Sequence, residues 1–482
     1  MGSTVQRVLG LLLAMFSLTM LPPIAVGVLF EDGTWIYFFQ SCLIIAGAGL
    51  LLWWPVRRST KEMRLRDGFL IVSLFWIVLG TFGAAPLLLA PVPQMSVTDA
   101  IFESMSGLTT TGATVLRGLD ALPPAILYYR QQLQWFGGLG IIVLAVAVLP
   151  MLGVGGMQLY RAEMPGPVKD TKLTPRITQT AKALWYVYLG ITAVCAGAYW
   201  LAGMTAFDAI CHGLSTVAIG GFSTHDASFG YFQSPAIELI AVGFMIIAGC
   251  NFALHFLAWR DRSVKGYLAD PEFRAYVRIL AALSAVVIAA LFWQQTYERP
   301  EETLTKGLFH AVSIATTTGF TTDDFSRWPV GLPILLILAS FIGGCANSTA
   351  GGMKVVRWTL MYKQGIREFQ RLIHPNAEIP VKLGNKPVSA RVVDSVWGFF
   401  AVYVVVFTGL LLIMLATGME PTAAFSAVAA TLNNLGPGLG EVAGGFGTAP
   451  ALAKWAGVCA MLLGRLEIFT LLVLVTPAFW RG

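Results

Sequence analysis

Stretches of about 20 or more apolar residues recur along this chain, and at a rise of about 1.5 Å per helical residue each can cross a hydrocarbon core of roughly 30 Å. Only 12% of the 482 residues are charged and 56% are hydrophobic, with a mean hydropathy of +0.70. Soluble domains carry roughly a quarter charged residues. The chain therefore reads as an all-α polytopic membrane protein whose solvent is the lipid bilayer. The six cysteines, Cys42, Cys195, Cys211, Cys250, Cys345 and Cys459, show no CxxC spacing and read as buried small hydrophobes. No HExxH, Walker lysine loop or GxSxG is present, which removes the hydrolase and nucleotide-binding templates and leaves no organic cofactor to expect. The glycine-rich run at 436–445 follows no strand and is a decoy.

Residues 8–30 form a first span, bent at Pro22 and Pro23, and 35–55 a second, joined by Glu31, Asp32 and Gly33. The first is too long for a signal-peptide core and lacks a small-x-small cleavage site. From about residue 69 a longer pattern occurs four times: an apolar span, a short helix-like stretch, a Thr/Ser/Gly-rich turn and a second span. The paired spans run 69–91 with 127–150, 178–203 with 235–260, 273–296 with 330–362, and 392–417 with 449–479. The chain divides into two N-terminal spans (1–67) and four pore units at 68–176, 177–270, 271–388 and 389–482. Ten crossings place both termini on one side.

Basic residues say which side. The connections between units hold Arg57, Arg58, Lys61, Arg64 and Arg66, then Arg161, Lys169, Lys172, Arg176 and Lys182, then Arg260, Arg262, Lys265, Arg274 and Arg278. The last of them adds Lys354, Arg357, Lys363, Arg367, Arg371, Lys382, Lys386 and Arg391. The opposite face has Arg117, Arg130, Arg299, Lys306, Arg327 and Lys454. This split, 23 against 6, puts both termini in the cytoplasm and the four turns outside, so the net charge of +6 is topology rather than a nucleic-acid footprint.

The four short pieces align as DAIFESMSGLTTTGAT (99–114), DAICHGLSTVAIGGFS (208–223), KGLFHAVSIATTTGFT (306–321) and AAFSAVAATLNNLGPG (423–438), the last with one inserted residue. Each is too short to span. Non-helical backbone at membrane depth is tolerated only where it lines water or packs inside protein, which a re-entrant loop achieves. Four such loops around one axis would aim four helix C-termini at a central cation. Ser96, Thr205 and Thr303 are candidate caps for the first three short helices, with Asp99 and Asp208 suited to the helix N-termini.

With these motifs in place, the chain resembles the Trk/Ktr/HKT superfamily. TTTGAT, AIGGFS, TTTGFT and NLGPG are similar to its four degenerate filter sequences, and the two extra N-terminal spans to its TrkH branch. GGMQLYRAEMPGP (155–167) and HPNAEIPVKLGN (374–385) resemble cytoplasmic loops of that branch. The resemblance implies a gated potassium uptake pore of the bacterial inner membrane. Its filter backbone would be Thr110, Thr111, Gly112 and Ala113; Ile219, Gly220, Gly221 and Phe222; Thr317, Thr318, Gly319 and Phe320; Asn434, Leu435, Gly436 and Pro437. Carbonyl rings there would replace the hydration shell of potassium, the transported ion. In plant relatives a serine at the first glycine position accompanies sodium transport, so Gly112 favours potassium. The resemblance also implies a homodimer and a cytosolic nucleotide-binding regulatory subunit, TrkA-like. A symporter with broken helices, or a less selective potassium/sodium pathway, is the alternative, although inverted repeats are not seen.

The second span of the third unit is interrupted by Gly343, Gly344, Cys345, Ala346, Asn347, Ser348, Thr349, Ala350, Gly351 and Gly352. These residues read either as a small-residue packing face or as a broken helix. The resemblance makes them the intramembrane gating loop. Arg465 stands about 16 residues into the last span, roughly 24 Å deep, as a charge in an expensive place. It either pairs with Glu467, snorkels to the cytoplasmic surface, or, as the resemblance implies, faces the pore beside the gate. The outer acidic residues Asp99, Glu103, Asp120, Asp208, Asp226, Asp323 and Asp324 read as mouth charges or, more simply, helix caps and loop charges. Glu103 gets no ligand role.

Overall fold

The structure, a computed structural model, describes residues 2–59, 64–140, 177–329 and 331–481. Lys61, Arg161, Lys169, Lys172, Arg176, the 155–167 loop and the inner half of the 127–150 span lie outside the described residues.

An N-terminal hairpin comes first. Helix α1 (Ser3–Ser17) passes through a 3-10 turn at Leu18–Met20 into α2 (Leu21–Leu29), where Pro22 and Pro23 sit in the first turn, and α3 (Trp35–Trp53) returns. The Asp32 side chain accepts the Thr34 and Ala125 backbone N–H groups, fixing the hairpin to the first pore unit. That unit holds α4 (Leu65–Phe82), α5 (Ala85–Leu89), α6 (Val97–Leu108) and α7 (Pro124–Trp135), which loosens into a π-helical turn at Phe136–Gly140.

The second unit is α8 (Ile177–Leu201), α9 (Ala206–Ala218), α10 (Pro235–Ala248) and α11 (Phe252–Asp261), followed by the short α12 (Lys265–Ala269). The third is α13 (Pro271–Trp293), α14 (Pro300–Ala315), α15 (Leu332–Ala339) and α16 (Val355–Ile373). A two-stranded antiparallel hairpin, Lys382–Leu383 with Lys386–Pro387, leads into the fourth: α17 (Ala390–Ala416), α18 (Pro421–Leu432), α19 (Ala451–Arg465), α20 (Phe469–Val475) and α21 (Pro477–Arg481).

Helix starts follow local chemistry. Ser96, Thr205 and Asp270 accept backbone N–H groups three residues on, while Pro235, Pro271, Pro300 and Pro421 occupy the first turn, where their missing N–H costs nothing. Thr303 is not a cap. The third short helix starts earlier, at Pro300, leaving Thr303 inside it to donate to the Arg299 carbonyl.

Burial separates two layers. The short helices α6, α9, α14 and α18 are buried almost throughout their C-terminal halves, whereas the long helices present lipid-ready faces such as Leu51, Leu201, Trp293 and Val405. Cys195, Cys211, Cys250 and Cys345 are buried as expected, but Cys459 is exposed on α19.

Six helices among the described residues are long and apolar enough to cross a membrane unbroken. The spans read at 235–260 and 449–479 are each a bent pair of helices. Helices α10 and α11 meet at 94°, and α19 and α20 at 113°. At the first bend His255 Nε2 contacts the Ile247 carbonyl, and at the second the Ile468 N–H donates to the Leu463 carbonyl, so each bend has a protein partner for a freed carbonyl.

Candidate functional site

All four short helices end in one backbone pattern. The N–H groups of Thr111, Gly220, Thr318 and Leu435 donate to carbonyls five residues back, on Ser106, Ser215, Ser313 and Ala430, at 2.8–2.9 Å. Those of the preceding residues, Thr110, Ile219, Thr317 and Asn434, donate three residues back at 3.0–3.3 Å. This is the Schellman arrangement, and its left-handed position is usually glycine. Here Thr110 (φ 55°), Ile219 (54°), Thr317 (65°) and Asn434 (53°) occupy it, three of them β-branched, at a cost of order 1–2 kcal/mol each. Two residues on, Gly112, Gly221, Gly319 and Gly436 are left-handed again, with φ of 79–101°. Strain repeated four times in register marks a backbone held in place by its surroundings.

The loops then close on one another. A methyl group built at Gly112 would overlap the Gly220 carbonyl oxygen, one at Gly221 that of Thr318, and one at Gly319 that of Leu435. One at Gly436 would stand 2.7 Å from the Thr111 oxygen. Each oxygen belongs to the residue just before the next unit's glycine, so the four turns form a cyclic ring, with no room for a side chain between neighbours. Eight of the sixteen sequence-predicted positions make these contacts: Thr111, Gly112, Gly220, Gly221, Thr318, Gly319, Leu435 and Gly436. One carbonyl, that of Gly220, also accepts Gln134 Nε2 at 2.6 Å, while Gln134 Oε1 takes Ser215 Oγ and the Phe222 N–H.

Above the ring, one position on each short helix ties down the segment that follows the glycine. Glu103 accepts Thr114 Oγ1 and the Val115 N–H; His212 Nε2 contacts Ser223 Oγ at 2.9 Å; His310 Nε2 contacts the Asp323 carbonyl at 3.2 Å; Ser426 Oγ accepts the Leu439 N–H at 2.8 Å. All four side chains are buried. Arg130, counted from sequence among the charges of the outer face, is 1% exposed on α7 and pairs with Glu103 at 2.8 Å. Lys454, counted on the same face, is buried against Asp99, and Lys354 and Arg357, counted on the opposite face, are buried as well.

At the protein surface His225 lies between Asp120 and Asp208, joining the segment after the first turn to that after the second. Burial alone lowers its pKa, but the neighbouring carboxylates of Asp208 and Asp120 outweigh that and raise it above the ordinary histidine value.

Below the ring runs the interrupted segment between α15 and α16. Its left-handed residues Gly343, Asn347, Gly352 and Lys354 exclude a continuous packing helix. Its backbone is tied on all sides: Cys345 N–H to the Gly249 carbonyl, Ala346 N–H to Glu272 Oε1, Gly351 N–H to Thr317 Oγ1 at 2.7 Å, and Gly352 N–H to the Asn433 carbonyl at 3.0 Å. Thr349 Oγ1 donates to the Val217 carbonyl, and Ala350 joins Ile219 and Ala248 in a small buried apolar cluster. Gly344 and Ser348 pack within the loop, where a methyl at Gly344 would stand 2.9 Å from Ser348 Oγ.

Arg465 ends α19 at this level. Its guanidinium donates to Thr110 Oγ1, to the Thr349 carbonyl of the loop, and to the Gly137 and Gly138 carbonyls of the π-helical turn. The alternative pairing is gone, because Glu467 takes Arg357 at 2.6 Å. Snorkelling is also gone, since these partners hold the group under the ring. Sequence reasoning missed Gln134, Arg130 and Glu272. It could have found the tying position, because Glu103, His212 and His310 fall in one column of the aligned repeats.

The family model for TrkH, described as a cation transport protein, matches residues 36–481. The Trk system potassium uptake protein TrkH of Vibrio parahaemolyticus is 59% identical over 99% of both chains, and that of Escherichia coli 54% over 99% of both. The Trk system potassium uptake protein TrkG of Escherichia coli is 41% identical. The crystal structure of the potassium transporter TrkH from Vibrio parahaemolyticus superposes with a TM-score of 0.91 at 56% identity, covering 99% of each chain.

Proposed function

The chain belongs to the TrkH family of cation transport proteins, and on that premise we propose that it carries potassium into a bacterial cell through a gated, channel-like pore of the inner membrane. The observation that carries the reading is the closed ring in which each turn's glycine abuts the carbonyl of the next. Dehydrated potassium passes through it, coordinated by backbone oxygens of Thr110 to Ala113, Ile219 to Phe222, Thr317 to Phe320 and Asn434 to Pro437. The membrane potential drives entry at about 2.3 kcal/mol per 100 mV. The loop from Gly343 to Gly352 closes the path beneath, and Arg465 sets a positive barrier there. Both termini face the cytoplasm. The protein works as a homodimer under a cytosolic, TrkA-like nucleotide-binding subunit that docks on the basic cytoplasmic segments; the relatives' printed membership of a Trk system supports such a partner.

The test is potassium, rubidium and sodium flux measured side by side in liposomes. Potassium should outrun sodium, and Gly319→Ser should lower that preference, because a side chain there overlaps the Leu435 carbonyl. Equal flux of all three ions, unchanged by the substitution, would sink the reading.

A further inference from the structure

The four ties between short helix and post-glycine segment are chemically unequal. His212, His310 and Ser426 make theirs within one unit. The tie of the first unit is an ion pair, and it crosses into the second. Glu103, with its side chain fully buried, holds Arg130 Nε at 2.8 Å, Thr114 Oγ1 at 2.9 Å and the Val115 N–H at 2.9 Å. Arg130 in turn donates to Thr114 Oγ1 and to the Ser223 carbonyl, each at 3.1 Å, and its guanidinium lies 4.2 Å over the Phe222 ring. Thr114 follows the first turn's Gly112 by two residues, and Ser223 follows Gly221 by two. One planar cation therefore fixes the spacing between the outer ends of two adjacent turns.

We propose that the buried Glu103–Arg130 pair is a clamp that sets ion discrimination by holding the first two turns at a fixed separation. The proposal rests on the ring being the selectivity filter. A ring of carbonyls discriminates potassium from sodium only as far as its oxygens are kept from closing on the smaller ion, a matter of cavity size and ligand rigidity. Within this ring the first and second turns are stiffened from outside by a desolvated charge pair, whose geometry a neutral hydrogen bond does not reproduce. Both are positioning residues: neither lies on the ring itself. Lysine at 130 keeps the charge but not the planar fork that reaches Glu103, Thr114 and Ser223 together.

The experiment compares potassium, rubidium and sodium flux in liposomes for the full chain and for Arg130→Gln, Arg130→Lys, Glu103→Gln and the Glu103→Gln/Arg130→Gln double variant. The potassium-to-sodium ratio should fall about tenfold in each single glutamine variant, equivalent to about 1.4 kcal/mol of discrimination. It should fall no further in the double variant, because the two side chains act as one unit. Arg130→Lys should be intermediate. Where removing a buried charge partner prevents folding, Thr114→Val decides, since it deletes only the hydroxyl shared by both residues and should move the ratio in the same direction. Ratios at the wild-type value in the folded single variants or in Thr114→Val overturn the clamp, as do additive losses in the double variant. Gly319→Ser separates the two failures. If it lowers the ratio while the clamp variants do not, the clamp is wrong and the filter stands; if it too has no effect, the filter reading falls.

Discussion

Arg465, from the fourth unit, donates to groups of two other units: a threonine and two π-turn carbonyls of the first, and a carbonyl of the interrupted loop in the third. A guanidinium held this way is a fixed positive charge under a ring of carbonyl oxygens. Arg465→Ala should raise ion flux by about tenfold, the effect of taking about 1.4 kcal/mol from a barrier; a fall in liposome flux would count against a barrier role. At the protein surface, His225 titrates between two carboxylates. Its folded pKa is raised, so the stabilising link to Asp120 and Asp208 is complete below the usual histidine value of about 6.5 and is lost as pH rises through the higher folded value. Thermal unfolding should therefore move to lower temperature as pH climbs above neutrality, and His225→Gln should flatten that dependence. Residue by residue, turn positions were legible because glycine and threonine recur at fixed spacing. Arg130 was not, because a count of basic residues assigns a charge to a face without saying what it pairs with, and its partner Glu103 lies 27 residues away.

Second helices that break at one level are the main departure from sequence expectation at the element scale. Only the third unit announces its break, with two Gly-Gly pairs. At the fourth, Glu467 and Ile468 take left-handed conformations with φ of 54° and 46°, with no glycine at either position. At the second, the bend falls on Gly249, Cys250 and Asn251, with Asn251 Oδ1 capping α11. Length and hydropathy report that such a stretch is apolar, not that it turns. The interrupted loop is itself held by Glu272, whose Oε1 accepts both the Ala346 and the Val356 N–H groups. Glu272→Ala would leave two buried donors unpaired, at about 1–3 kcal/mol each. The loop should then leave its observed position more often, and on the proposed gating role this is seen as increased basal flux, with Glu272→Gln between the variant and wild type. Unchanged flux in a folded Glu272→Ala protein would remove this carboxylate from any part in gating.

Taken as one molecule, the chain is a fourfold ring assembled from four unlike pieces, and the repeat was legible because its period of about 100 residues survives in the alignment. The cyclic order of the contacts was not legible, since nothing in a sequence says which turn abuts which. Every glycine in the ring meets the carbonyl of a different unit, so Gly112→Ala, Gly221→Ala and Gly319→Ala should each lower potassium-over-sodium flux to a comparable extent. A loss confined to one of the three would mean that the ring does not act as a whole. Covalent fusion also brings something a tetramer of identical subunits cannot offer. Each quadrant has its own address in the gene, so one, two or three of them can be edited in a homogeneous population, and the permeation pathway becomes a system in which dose is counted in quarters.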